Sequence, residues 1–163
     1  MTMRVFGLAG WSGSGKTTLM TALIPELVSR GITVSTIKHA HHSFDIDKPG
    51  KDSWLHRQAG AREVMAASGQ RWALMRELRG AAEPTLDELL ERMTSVDLVL
   101  VEGFKHHDHP KIEVYRRALG KPLLHPDDPF VVAIASDQRR PEFSRPWLPL
   151  SDASAIANFI LGH

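Results

Sequence analysis

Cysteine does not occur in this 163-residue sequence, which excludes disulfides and thiolate metal sites and fits a reducing compartment. Long apolar runs are missing too. No window approaches the ~20 residues that a bilayer-spanning helix needs. The short apolar run at Val5 leads straight into a glycine-rich segment rather than a cleavage site, so neither a membrane span nor an export signal is expected. Charge of one sign is equally scarce. Lys plus Arg number 20 against 19 Asp plus Glu, and a net of +1 gives no general attraction for nucleic acid or an anionic membrane. Any anion must be held locally. The expectation is a soluble, cytoplasmic protein without internal repeats or low-complexity tracts.

What is present is an alternation of β-rich runs with helical patterns, the mark of an α/β fold built on a largely parallel sheet. Val5 to Ala9 reads as a strand, and Thr17 to Arg30 as a helix whose apolar stripe Leu19, Leu23, Leu27 stops at a C-cap glycine, Gly31. Ile32 to Ile37 reads as a buried strand ended by Lys38. The polar stretch His39 to Lys51 is a loop of a length that usually carries function. Asp52 and Ser53 are expected to cap a short helix through Ala59. Glu63 to Ala67 and Trp72 to Arg76 flank Ser68 to Arg71 as a hairpin. Thr85 with Glu88 forms a capping box for a helix ending near Thr94. Leu98 to Val101, Ile112 to Tyr115 and Phe130 to Ala135 are further strands. The late prolines confine the segments between them to loops, and Ser151 caps a final helix through Leu161.

Between the first strand and the first helix lies Gly10-Trp11-Ser12-Gly13-Ser14-Gly15-Lys16-Thr17, a match to G-x-x-x-x-G-K-[ST] in the context that motif requires. Glycines let backbone N–H groups converge on phosphate oxygens, and the helix directs its positive end at the same anion. Lys16 adds a charge on the outer phosphates and Thr17 a hydroxyl for Mg²⁺, and Thr18 continues the nucleotide contacts. The length supports one core, so the chain is read as a single P-loop nucleotide-binding domain over residues 1–163.

Ligands of parallel sheets gather beyond the carboxyl ends of the strands. Glu102, closing the apolar strand Leu98 to Val101, is therefore expected beside the phosphate loop on the metal side, whereas Asp97 sits at the far end and is read as structural. Lys38 reaches the same edge as a candidate phosphate or transition-state contact. Asp45, Asp47 and Asp52 in the following segment are candidates for the metal or for orienting an attacking water, with Asp52 favoured because it opens a helix.

These segments together resemble the molybdopterin-guanine dinucleotide biosynthesis protein B (MobB) family. The resemblance is carried by G-W-S-G-S-G-K-T at Gly10 to Thr17, T-I-K-H-A-H-H at Thr36 to His42 and D-I-D-K-P-G-K-D-S at Asp45 to Ser53. It continues in A-G-A at Ala59 to Ala61, D-L-V-L-V-E-G-F-K at Asp97 to Lys105 and A-I-A-S-D at Ala133 to Asp137. It implies a P-loop NTPase fold with an added hairpin and a homodimer that binds GTP and Mg²⁺ and hydrolyses GTP weakly. As an adapter it would assist the molybdenum cofactor guanylyltransferase in joining GMP to molybdopterin, with molybdopterin or a molybdoenzyme as further partners. A broader similarity to dethiobiotin synthetase matches Glu102 and Asp52 to Mg²⁺-binding positions and Lys38 to a lysine ending the second strand. Guanine preference is implied by the family. N-K-x-D is absent, and Asp137 is the one carboxylate after a strand end suited to accept from guanine N1 and N2.

Two other readings stay open at this stage. One is an ATP-dependent small-molecule kinase or synthetase. The other is a nucleotide-gated metal chaperone, suggested by the histidine clusters His39 to His42 and His106 to His109. Trp11, inside the loop, is read as covering the nucleotide or facing a partner, and Trp54, Trp72 and Trp147 as packing residues.

Overall fold

The computed structural model describes residues 3–40 and 44–163. His41 and His42 of the first histidine cluster lie outside the described residues. In chain order the elements begin with β1 (Arg4–Ala9), α1 (Lys16–Ser29), β2 (Val34–Lys38), α2 (Asp52–Gln58), β3 (Glu63–Ala67), β4 (Trp72–Arg76) and α3 (Leu86–Leu90). There follow β5 (Leu98–Glu102), β6 (Lys111–Tyr115), a 3₁₀ turn (Arg117–Leu119), β7 (Val131–Ser136), β8 (Trp147–Pro149) and α4 (Ala153–Gly162). The chain divides into two compact units, Met1–His39 with Met93–His163, and Ala40–Arg92.

The first unit is a six-stranded sheet in the order β2-β5-β1-β6-β7-β8, with every neighbouring pair parallel. Alternate strand residues, among them Phe6, Leu8, Leu100, Ile112, Val114 and Ala135, pack against Leu19, Leu23 and Leu27 of α1 and Ile156 and Ile160 of α4. The periods of two and 3.6 residues thus meet in one apolar layer. Helix α1 ends as its glycine requires. Gly31 has φ 80°, its N–H bonds Val28 O and the Ile32 N–H bonds Leu27 O, a Schellman closure. Asp97 is structural: its Oδ2 accepts from Thr33 N at 2.8 Å and Thr33 Oγ1 at 2.6 Å, tying the entry to β2 to the entry to β5.

Several expectations for this unit need correction. β2 begins at Val34 and buries only Ile37, because it is the sheet's edge strand and has one neighbour instead of two. The cap of α4 is Asp152, whose carboxylate accepts from Ala155 N at 2.9 Å, with Ser151 one residue too early for that bond. The proline-rich segment is not all loop, since Trp147–Pro149 forms β8. Its edge position and terminal proline keep the missing N–H out of the ladder.

In the second unit, β3 and β4 pair antiparallel from Glu63↔Arg76 to Ala67↔Trp72. The capping box of α3 is present, with Thr85 and Glu88 exchanging both bonds. Three expectations fail here. Asp52 is the first helical residue of α2 and Lys51 the N-cap, with no side-chain cap bond, because a lysine side chain offers no acceptor; the Ser53 hydroxyl instead donates to Asp47 Oδ1 at 2.6 Å. Helix α3 stops at Leu90 rather than near Thr94. Trp72 is no packing residue: it is 67% exposed, at the turn end of a hairpin only two strands wide.

Candidate functional site

The phosphate loop joins β1 to α1 through three left-handed glycines, Gly10, Gly13 and Gly15, a conformation that side chains resist. At Gly10 space adds a second demand: a Cβ there would stand 2.5 Å from Val114 O and 2.8 Å from Ser14 Oγ. Lys16 Nζ folds back across the loop and donates to Gly10 O at 2.9 Å and Trp11 O at 3.0 Å. Partial burial lowers the Lys16 pKa below its usual range, opposed by Glu102 and reinforced by Lys105 and Lys38. Among the described residues Ser14 Oγ is buried without a hydrogen-bond partner, an unmet demand in a site built to receive oxygens. Ser12 and Gly13 are exposed.

Glu102 ends β5 between β1 and β2, paired in register with Leu8 on one side and Lys38 on the other. Thr17 Oγ1 lies 3.3 Å from Glu102 Oε1, and Lys38 Nζ is 3.9 Å from the same oxygen. The structure therefore brings Lys16, Thr17, Lys38 and Glu102 to one edge, as the strand-end argument required. The chain beyond β5 turns sharply, with Gly103 at φ 101° and Phe104 at φ 49°. A Cβ on Gly103 would sit 2.7 Å from the His39 Cβ, and Phe104 lies against the His39 ring at 4.6 Å.

Asp137 follows β7 and lines a cavity of about 500 Å³ together with Gly15, Thr18, Arg116, Trp147 and Leu150. The cavity opens beside the phosphate loop itself. Trp11 faces elsewhere. Its Nε1 donates to Pro122 O at 2.8 Å, and the Lys105 and Lys121 ammonium groups lie 4.9 and 5.6 Å from its ring, so its indole is pinned at the loop's outer side.

Of the three candidate aspartates in the second unit, two are already neutralised. Arg57 binds Asp45 at 2.8 Å, Asp47 at 3.0 Å and Glu77 at 2.6 Å. The Asp47 N–H, then Arg57, hold the Asp45 carboxyl below the usual carboxylate range. Asp52 is exposed at the start of α2, outside that network. In the second histidine cluster, His107 Nδ1 and His109 Nδ1 are 3.2 Å apart. Burial, with Lys111 and His107 nearby, pushes the His109 pKa down to about 4. Among the described residues no three His, Cys, Asp or Glu side chains converge as a metal site.

The sequence reading missed Arg116. Its Nε donates to Ser14 O at 3.0 Å, and a Cβ on Gly15 would lie 3.3 Å from its Nε and Nη2. The signal was available, because Arg116 directly follows a strand whose carboxyl end borders the loop. The buried pair Lys111 and Glu113 on β6 was also unforeseen. Lys111 Nζ donates to Lys105 O, His107 O and Asp128 Oδ2, and Glu113 accepts from Leu124 N and from His125 N and Nδ1. Both polar groups are thereby satisfied in the interior.

Residues 5–137 match the family model described as Molybdopterin guanine dinucleotide synthesis protein B, MobB. The molybdopterin-guanine dinucleotide biosynthesis adapter protein of Haemophilus influenzae is 45% identical over 158 residues, covering 96% of this chain and 86% of that protein. The adapter protein of the same description from Escherichia coli is 44% identical over 160 residues, covering 96% and 91%. A crystal structure of molybdopterin-guanine biosynthesis protein B is similar with a TM-score of 0.76 at 31% identity, covering 97% of each chain. No helix among the described residues is long and apolar enough to cross a membrane. With the family model spanning the phosphate loop, the Glu102 edge and Asp137, the chain belongs to the molybdopterin guanine dinucleotide synthesis protein B (MobB) family.

Proposed function

We propose that this chain is a cytoplasmic adapter of molybdenum cofactor biosynthesis that binds GTP with Mg²⁺, hydrolyses it slowly, and assists a guanylyltransferase in joining GMP to molybdopterin. The observation that carries the reading is the continuity of the phosphate loop with the cavity holding Asp137, since Gly15 of the loop and Thr18 just beyond it both line that cavity. A nucleoside triphosphate has the same shape, a polyanion joined to a flat polar base.

The residues suit that ligand. The orphaned Ser14 hydroxyl and the Lys16 ammonium, now spent on loop carbonyls, both gain by exchanging to phosphate oxygens. Thr17 and Glu102 form a hard-oxygen pair of the kind Mg²⁺ uses when a phosphate supplies other ligands. Bound there, the ion would neutralise charge on the outer phosphates. Lys38 adds a cation at the same edge. Asp52 is assigned to the metal by family resemblance, and Asp52→Asn tests it. No residue is assigned to orient an attacking water, so turnover is expected to be slow alone and faster in complex with the guanylyltransferase. A homodimer, with molybdopterin or a molybdoenzyme as further partners, completes the proposal.

Competition among GTP, GDP and ATP, with and without Mg²⁺, tests base, phosphate number and metal together. GTP should win, with Mg²⁺ strengthening it. Equal or tighter ATP binding would overturn the guanine reading.

A further inference from the structure

We propose that Arg116 is a specificity-determining residue that donates to the O6 and N7 edge of guanine, opposite Asp137, which accepts from N1 and the 2-amino group. The inference deepens the guanine-nucleotide reading above and rests on it.

The fold sets the two residues side by side. β6 and β7 are parallel neighbours whose last pair is Tyr115↔Ser136, so Arg116 and Asp137 are the next residues on each strand. Strand alternation puts Arg116 on the side of Val114 and Asp137 on the side of Ala135, both of which pack toward α1. Both accordingly line the cavity beside Gly15 and Thr18.

Arg116 is anchored at only one of its donors. Nε holds Ser14 O at 3.0 Å, and Gly15, lacking a Cβ, lets the guanidinium lie against the loop. Among the described residues Nη1 and Nη2 have no hydrogen-bond partner, which leaves a planar fork already oriented by the loop. Such a fork matches the paired acceptors O6 and N7 of guanine, whereas adenine presents an amino donor in place of O6. A lysine could not replace it, having a point charge instead of a fork. Trp147, Pro149 and Leu150 provide apolar walls for a planar base. Asp137 supplies the acceptor that the other guanine edge requires.

The test compares GTP with 7-deaza-GTP, which lacks only the N7 acceptor. Affinities of the full chain for both, and for ATP, are measured by calorimetry with Mg²⁺ for the wild type and Arg116→Met. The wild type should bind 7-deaza-GTP about tenfold more weakly than GTP, the worth of one hydrogen bond from a charged donor. Arg116→Met should bind GTP at least tenfold more weakly and should no longer distinguish the two ligands. Equal wild-type affinity for GTP and 7-deaza-GTP overturns the proposal, whether or not the variant folds. So does a variant that keeps the wild-type discrimination. Either result with GTP still preferred over ATP removes the role of Arg116 alone, whereas a wild type that prefers ATP or binds neither removes the guanine reading beneath it.

Discussion

Thr17 Oγ1 and Glu102 Oε1 stand 3.3 Å apart although 85 positions separate them in the chain. β5 lies between β1 and β2, so the residue ending it meets the first turn of α1 on one flank and Lys38 on the other. One carboxylate oxygen thus collects a hydroxyl and an ammonium group from two other elements.

Glu102→Gln should keep the hydrogen-bonding shape and lose the charge. We expect the Mg²⁺ concentration for half-maximal GTP binding to rise by about tenfold or more, the worth of a charge-assisted contact, with thermal stability unchanged. Metal titration curves that overlay the wild type would remove Glu102 from the metal site.

Lys16 should give nucleotide binding a pH dependence of defined sign. Burial lowers its pKa in the free protein, and phosphate oxygens would raise it. Its contribution is therefore full below the free-protein value and declines as pH rises through it, with proton uptake on binding in that window. Lys16→Ala should abolish hydrolysis and flatten the alkaline decline. Affinity that strengthens with rising pH in the wild type would contradict the assignment.

Asp137→Asn reverses the hydrogen-bonding pattern offered to the base. An asparagine amide can donate to the C2 carbonyl of xanthine, where the carboxylate would accept from the guanine amino group. GTP should weaken by about 1.5–3 kcal/mol, as for a hydrogen bond to a charged group, and XTP should strengthen. Parallel losses for GTP, XTP and ATP in a competition assay would point to a structural aspartate.

His109 should make stability fall in acid. Its pKa is about 4 in the folded chain against about 6.5 in an unfolded one. The folded state thus binds fewer protons, so the stabilisation is complete above pH 6.5 and lost as pH falls toward 4. The difference corresponds to roughly 3 kcal/mol, measurable as urea midpoints across that range and reduced in His109→Gln. The same ring covers Gly7, where an added Cβ would collide with His109 Nε2 and approach the Lys111 Cβ to 2.9 Å. Gly7→Ala should cost about 1–3 kcal/mol through overpacking, and an unchanged urea midpoint would refute that packing.

How much was legible follows from where each signal lives. The loop glycines, the capping box at Thr85 and Glu88, and the hairpin from Glu63 to Arg76 are local instructions, and the structure carries them out nearly residue for residue. Caps one residue apart, Ser151 against Asp152, were not separable, because both residue types cap well. Nor could sequence show that Arg57 occupies Asp45 and Asp47 together, since that requires a helix to fold back on its preceding loop.

By itself the sequence determined the phosphate loop, the parallel α/β order of elements and Glu102 as the residue that closes β5, because these depend on backbone preferences and periodicity within a few positions. Only the tertiary structure decided that β2 is an edge, that Lys111 and Glu113 are buried with their charges answered, and that Arg116 lies against Gly15 beside Asp137. Those outcomes depend on which distant chain segments become neighbours, and the strength of a charge or donor is set by its neighbours rather than by its own identity.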